Sequence, residues 1–545
     1  MSAPFCMYHK MNIMYRKVLS LSLTLLSVSC FANFEKDVFS MFIQDGGIIL
    51  SSAIGEMEED LVIPDSIEYE GKKYPVTKLG GGLFMYHDEI KKVTIPSTII
   101  FMGSGALGYC NNLKEIVIED GENDIDCYGN TFSHSPIEKI YLGRGLKPEN
   151  DYKVLFTSSV KHMTVGPKVT SLTNCYAVSD LSSLKIEDSE TPCTYSIQFH
   201  SDSIYVGREM VSDERSMHGA FTGECKHLQF SPNVTDIDNY FFSNFNIDIF
   251  VLPATVTRLR RDAFYNCYIN NMVIEQSENP IILDSYDAFY RTEIDSLYIG
   301  RELVYTDDSY GAFSPRTWYD STTNRILKYV YMENNVVNIS RAAFQYDNYI
   351  TYVRFSPLVE TIPGACFDHS GAIRDLVMPT SLKTVEYSAF SNCGIDIADF
   401  SNTKLETIGR RAFYCALGLT KIVLPSTITQ IGDEALAWCS KLNEIIIYSK
   451  QVPTIYDGTF YNTTLSNITL KVPEDMVEAY KADSQWKKIK NIVPIETSSI
   501  SSVELECPIG NSVYNIGGYS STTENGIIIV PTAKGYKKYI KRRNK

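Results

Sequence analysis

The chain has 545 residues, of which 44% are hydrophobic and 21% charged, and a formal net charge of −15. Such a composition excludes bulk disorder, and the length exceeds one ordinary core, which leaves several domains or a repeat array whose units pack only on their neighbours. The acidic balance argues against a nucleic-acid partner, which would need a basic face, and suits solubility.

Residues 1–32 read as a secretory signal peptide. Arg16 and Lys17 precede the apolar run Val18 to Val28, and Cys30-Phe31-Ala32 offers small residues for cleavage before Asn33. The alternative is a lipid anchor at Cys30, although Ser27 stands where a lipobox usually carries Leu. No other stretch approaches the ~18 apolar residues of a membrane span, so no transmembrane segment is expected. Both alternatives place the protein outside the cytoplasm, secreted or associated with the outer membrane at the cell surface. Thirteen Cys are present, and removing the leader leaves eleven, with no C-x-x-C among them. Zinc ribbons and thioredoxin-like chemistry therefore lack their usual signature.

Residues 33–85 read as an N-terminal β-hairpin cap and first coil. Leu61-Val62-Ile63-Pro64 is followed by Tyr69 to Val76, a hairpin that would cover the first coil's open edge. A repeat then begins, spanning 86–472. Val93-Thr94-Ile95-Pro96 leads to Ala106-Leu107 and Cys110, and Val251-Leu252-Pro253 leads to Ala263-Phe264 and Cys267. Gly103 to Gly108 matches G-x-G-x-x-G, but Ala106-Leu107 inside it is the repeat's own small-hydrophobic pair, so no cofactor is read from it. Shorter units end in Gly-Arg, at Gly143-Arg144, Gly207-Arg208 and Gly300-Arg301. The pattern loosens in two stretches read as insertions, about 146–228 and 304–331.

In the C-terminal half the period is plain. Phe344, Phe367, Phe390, Phe413 and Leu436 are each 23 residues apart and each follows Ala or Cys; Phe460 follows with a one-residue slip. Alternate residues of each short strand face inward, and Pro after the strand forces the turn. The small residue lets adjacent coils approach, and the next residue stacks on its equivalents as a spine formed by Phe264, Phe344, Phe367, Phe390, Phe413, Leu436 and Phe460. The recurrent Cys, at Cys393, Cys415 and Cys439, reads as a small buried hydrophobe.

Residues 473–495 read as a short helical cap, opened by Pro473 and packed by Trp486, Ile489 and Ile492. Residues 496–545 form a Ser-rich linker, two β-like runs (Ser512 to Ile516 and Gly526 to Val530) and a basic end, either a solvated tail or a sorting segment.

The recurring pattern L..I.IP..v..I...AF..C resembles the BspA-like leucine-rich repeat of surface and secreted proteins of Bacteroidota. The resemblance implies a leucine-rich-repeat solenoid, mainly short β-strands with turns and short helical segments in each coil, forming a curved array. Adhesins are the family's better-known members, and it has no fixed catalytic residue to carry over. No H-E-x-x-H, G-x-S-x-G or Walker A motif occurs, and the seven His outside the leader are scattered. The leading reading is thus an exported, non-enzymatic protein that binds an extracellular protein or polysaccharide. Aromatics interleaved with carboxylates in 304–331 make Trp318, Tyr319 and Tyr310 the candidate ligand contacts. Two alternatives stay open. One is a structural or assembly protein of the envelope. The other is a glycan-acting enzyme with carboxylates such as Asp307 and Asp320, which would have to stand ~5–10 Å apart.

Overall fold

The computed structural model describes residues 33–149, 155–156, 159–172, 180–213, 219–284, 288–305, 313, 327–496, 527–532 and 535–540. The chain divides into two compact units, residues 1–243 and 244–545. Each is a parallel β-solenoid with very little helix.

In the first unit one parallel sheet runs through Asp60–Val62, Lys92–Ile95, Glu115–Ile118, Lys139–Leu142, His162–Val165, Ser183–Ile186, Ser203–Val206 and His227–Phe230. Register is strict: Ile116 pairs with both Val93 and Ile140, and all three are buried. These are short aliphatic runs whose alternate residues face inward, as a half-buried strand requires. Rungs of this ladder continue through 146–228, where the sequence pattern had loosened. A second, narrower sheet contains Lys72–Leu79, Phe101–Met102, Ile125–Cys127 and Leu146–Pro148.

The array opens with more than a hairpin. Asn33–Lys36, Phe39–Gln44 and Gly47–Ala53 form an antiparallel meander, and its third strand runs parallel to Lys72–Leu79. Ser66–Tyr69 pairs back onto Lys72–Leu79 through Glu70 and Gly71. Both residues have positive φ, 51° and 75°, as a type I′ turn demands. The leader, with Cys30, lies outside the described residues; the first strand begins at Asn33.

In the second unit Phe242–Leu252, which starts at the unit boundary, is followed by Tyr268–Ile274, Glu293–Ile299, Tyr329–Met332, Tyr352–Arg354 and Asp375–Val377 in one parallel sheet. Ile397–Asp399, Lys421–Leu424, Glu444–Ile447, Thr469–Val472 and Asn491–Pro494 form the next sheet. At the break between them Arg374 donates from Nη1 to the carbonyls of Gly371, Ile373 and Gly394, at 2.7, 3.0 and 2.6 Å. Val477–Ala482 is the one α-helix among the described residues. Tyr480 of this helix and Trp486 just after it are buried; Trp486 donates from Nε1 to the Pro453 carbonyl at 2.8 Å and meets Phe460 edge-on. In the tail, Ile527–Thr532 pairs antiparallel with Gly535–Ile540, while Ser512 to Ile516 lies outside the described residues.

The remaining side of each coil is a turn ladder rather than a helix. In the regular coils the residues two before and two after the ring are left-handed: Ala342 and Tyr346 flank Phe344, Ala365 and His369 flank Phe367, Ser388 and Asn392 flank Phe390, and Arg411 and Cys415 flank Phe413. A left-handed residue turns the peptide plane over, so every second N–H points along the array. Ala365, Phe367 and His369 accordingly donate to Tyr387, Ala389 and Ser391 of the next coil at 2.8–2.9 Å. The residue before the ring supplies the central carbonyl, and its small side chain lets the coils close to that distance. The rings then stack in sequence. From Phe264 through Phe289, Phe313, Phe344, Phe367 and Phe390 to Phe413, centroids are 4.8–5.8 Å apart and planes are within 26°.

Candidate binding surface

Three residues after the spine lies a buried side chain that is a hydrogen-bond donor as well as filler. The Cys110 thiol donates to the Phe84 carbonyl at 3.0 Å, and Cys439 to the Phe413 carbonyl at 3.2 Å. Ser135, Ser370 and Thr463 do the same to the carbonyls of Leu107, Phe344 and Leu436, at 2.7, 2.9 and 2.7 Å. Cys, Ser and Thr are therefore interchangeable here, and each gives a spine carbonyl of the preceding coil a side-chain donor. Burial pushes the thiols of Cys110, Cys393 and Cys439 up to about 12, so they remain protonated donors. Cys415 is different: it sits two places after Phe413, in the left-handed position, and is half-buried.

That position, two after the spine, runs along an open edge of the array. Asn is its natural occupant, because a short polar side chain tolerates positive φ, and Asn266, Asn392 and Asn462 fill it with φ between 51° and 54°. Bulky residues there cost about 1 kcal/mol each. The chain nevertheless places Tyr86, Tyr109 and His134 in this column of the first unit, and Tyr346, His369 and Trp438 in the second. Tyr109 packs against Tyr86 at 5.2 Å and His134 at 4.3 Å, and Tyr346 against His369 at 4.8 Å. His369 also contacts the Asp368 carboxylate at 2.8 Å, and this hydrogen bond with one from Gln345 holds that acid below its usual range despite burial, which acts in the other direction.

Trp438 is an open point of the column. Its side chain is 42% exposed, Tyr461 meets it edge-on at 6.3 Å and is 57% exposed, and Leu417 on the preceding coil is 55% exposed. Beside them the Arg411 guanidinium lies over the Tyr414 ring at 5.3 Å while pairing with Glu434. Among the described residues only Ile54, Val62, Ile100 and Val211 are exposed large hydrophobics in the first unit, whereas every exposed Tyr and Trp is in the second.

Trp318, Tyr319 and Tyr310 lie outside the described residues, as do Asp307, Asp308 and Asp320. Two other rings of the same stretch belong to the packing. Phe313 is buried in the spine between Phe289 and Phe344, and Tyr331 is buried, 5.1 Å from Tyr298. Tyr305 and Phe313 line a narrow crevice with Ile299, Met332 and Val336, at the widest step of the ring stack. Sequence reasoning missed Phe289 and Phe313 as spine members, although Ala288-Phe289 and Ala312-Phe313 carry the same small-plus-ring signal. In the first unit it missed Phe132, Phe199 and Phe221, where Thr131, Gln198 and Ala220 precede the ring. Gly103 to Gly108 lies in the turn ladder with no helix after it, so it lacks the βαβ setting of a dinucleotide site. Among the described residues, no three His, Cys, Asp or Glu side chains are grouped to hold a metal ion.

No curated protein matches the chain in sequence. Among solved structures it is similar to a leucine-rich repeat protein from Bacteroides ovatus, at 14% identity over 82% of this chain and 99% of that one, with a TM-score of 0.27. It is also similar to a leucine rich cell surface protein from Faecalibacterium prausnitzii, at 17% identity over 78% and 97%, with a TM-score of 0.25. The pneumococcal vaccine antigen PcpA aligns at 13% identity over 86% and 100%, with a TM-score of 0.22. The profile of the BspA type leucine rich repeat region matches residues 77–203, 218–351, 321–396, 360–482 and 406–519. Those matches span more than half of the chain, which thus belongs to the BspA-type leucine-rich repeat family.

Proposed function

We propose that the chain is exported and works as a non-enzymatic binding protein, secreted or held at the cell surface, which contacts an extracellular protein or polysaccharide along its turn edge. The observation that carries this reading is the placing of the exposed Trp438, in one column with the half-buried Tyr86, Tyr109 and Tyr346, at left-handed positions where Asn costs less. Local strain retained at an exposed site points to use rather than packing. Trp and Tyr supply large contact area at little conformational cost, which is why they dominate binding hot spots. The insertion with Trp318, Tyr319 and Tyr310 is proposed as a second contact, since loops on rigid scaffolds often carry binding. Export rests on the leader-like residues Arg16 to Ala32.

Protease shaving of intact producing cells tests the location. Release of fragments from the Phe34 to Pro494 region without lysis is the expected result. Full protection until the outer membrane is opened would replace this reading with a periplasmic scaffold.

A further inference from the structure

The three Gly-Arg turns share a geometry that the repeat does not require. Arg144, Arg208 and Arg301 are 1%, 0% and 0% exposed, among the largest fully buried side chains of the protein. Each reaches backward past one whole coil. Arg144 donates from Nη2 to the Pro96 carbonyl at 2.7 Å. Arg208 donates to the carbonyls of Pro167 and Gly166 at 2.8 and 2.9 Å. Arg301 donates to those of Ala254 and Pro253, both at 2.7 Å. Arg144 also donates from Nη1 to the Asn123 carbonyl of the skipped coil at 3.3 Å; the other acceptors all belong to the turn that ends the strand two rungs earlier. The trios are Lys92–Ile95, Glu115–Ile118 and Lys139–Leu142; His162–Val165, Ser183–Ile186 and Ser203–Val206; and Phe242–Leu252, Tyr268–Ile274 and Glu293–Ile299.

The surrounding sequence is built for that reach. A Cβ on Gly143, Gly207 or Gly300 would fall 2.4, 2.3 and 2.3 Å from backbone atoms of the skipped coil, so only glycine lets the arginine's own coil sit that close. The skipped coil carries a small residue at the crossing: Gly121 in Glu119-Asp120-Gly121-Glu122, Ser189 in Glu187-Asp188-Ser189-Glu190 and Ser277 in Glu275-Gln276-Ser277-Glu278. At Gly121 a Cβ would stand 2.9 Å from Arg144 Cδ. The flanking acids favour the charged guanidinium, although burial still draws Arg301 down to about 10. It therefore stays a cation at neutral pH. Among the described residues the three Nε atoms find no hydrogen-bond partner. A buried cation held by carbonyls alone is costly to keep and costlier to break.

Solenoid coils ordinarily couple to nearest neighbours alone. These arginines add a bond between next-nearest neighbours. We propose that each Gly-Arg turn is a coil-skipping staple and that the trio it spans opens as one cooperative block.

Hydrogen exchange of the full chain tests this, comparing the parent with Arg301→Met. The reporting peptide is 252–260, which contains the Val256 amide bonded to the Pro253 carbonyl at 3.1 Å. Losing the staple is expected to speed exchange there about tenfold, with peptides from 384–447 unchanged. Acceleration confined to 296–305, with 252–260 as in the parent, overturns the proposal and reduces Arg301 to local filler. Should Arg301→Met not fold, Arg301→Lys is read instead. Its single ammonium satisfies fewer carbonyls, so a smaller acceleration at 252–260 is expected, and parental exchange at that peptide again overturns the proposal.

Discussion

The coils of 336–472 and the arginine-spanned trios hold themselves together differently. In 336–472 the period is fixed at 23 residues until the last step, and Phe344, Phe367, Phe390 and Phe413 stack at 5.3–5.6 Å. Every coil offers its neighbour the same outline, and the bond that skips a coil there, from Arg341 Nη2 to Tyr387 Oη at 2.6 Å, lies on the exposed surface rather than in the core. In the trios coil length varies: the arginine lies 48, 41 and 48 residues after a carbonyl that it holds. Unequal coils leave a step between successive turns, and the arginine crosses it. The difference teaches that uniform length keeps register, and that register lets the buried part of a solenoid do without coil-skipping bonds.

Removing a ring is the hardest blow to the regular region. Phe390 is fully buried between Phe367 and Phe413, and Phe390→Ala should cost about 3–5 kcal/mol. In urea the midpoint should fall, and exchange protection should be lost in 384–413 while peptides from 92–144 keep theirs. Equal loss in both would merge the two regions into one cooperative unit and erase the contrast. A gentler change separates packing from hydrogen bonding. Cys439→Ala leaves the Phe413 carbonyl without its side-chain donor and should cost about 1 kcal/mol, whereas Cys439→Ser keeps a donor and should cost about half of that or less. Equal costs in thermal unfolding would return Cys439 to the role of filler.

The repeat was legible because its physics is local: a Pro-ended strand, a small residue, then a ring. Where that signature weakens, as at Gln198-Phe199 and Thr131-Phe132, the same buried position is filled, but the cue before it is gone. Gly-Arg is visible as a recurring pair, yet the carbonyls it staples lie more than 40 residues away and carry no sequence label. The Cys was read as a hydrophobe because its donor role emerges only when Ser135, Ser370 and Thr463 are seen at the equivalent place. The aromatic edge column was missed for a similar reason. Tyr346, His369 and Trp438 look unrelated in sequence until their shared positive φ aligns them. The conspicuous aromatic signal in the sequence is instead the stretch 304–331, part of which the spine absorbs.

The smallest effect on stability discriminates most sharply, because its sign differs from its effect on binding. Trp438 holds φ at 60°, while Asn392 and Asn462 occupy the same column two coils before and one coil after it. Trp438→Asn puts the preferred residue at a strained position and relieves about 1 kcal/mol, offset in part by the lost contact with Tyr461. The melting temperature should therefore stay level or rise slightly. Retention on a panel of glycans and matrix proteins should instead fall about tenfold for whichever partner the parent captures, the loss typical of an aromatic anchor. If stability and capture fall together, Trp438 is a packing residue and the turn edge loses its best claim as a contact surface. If stability holds and capture is unchanged, binding passes to another face of the array, and the strain at position 438 has no functional account.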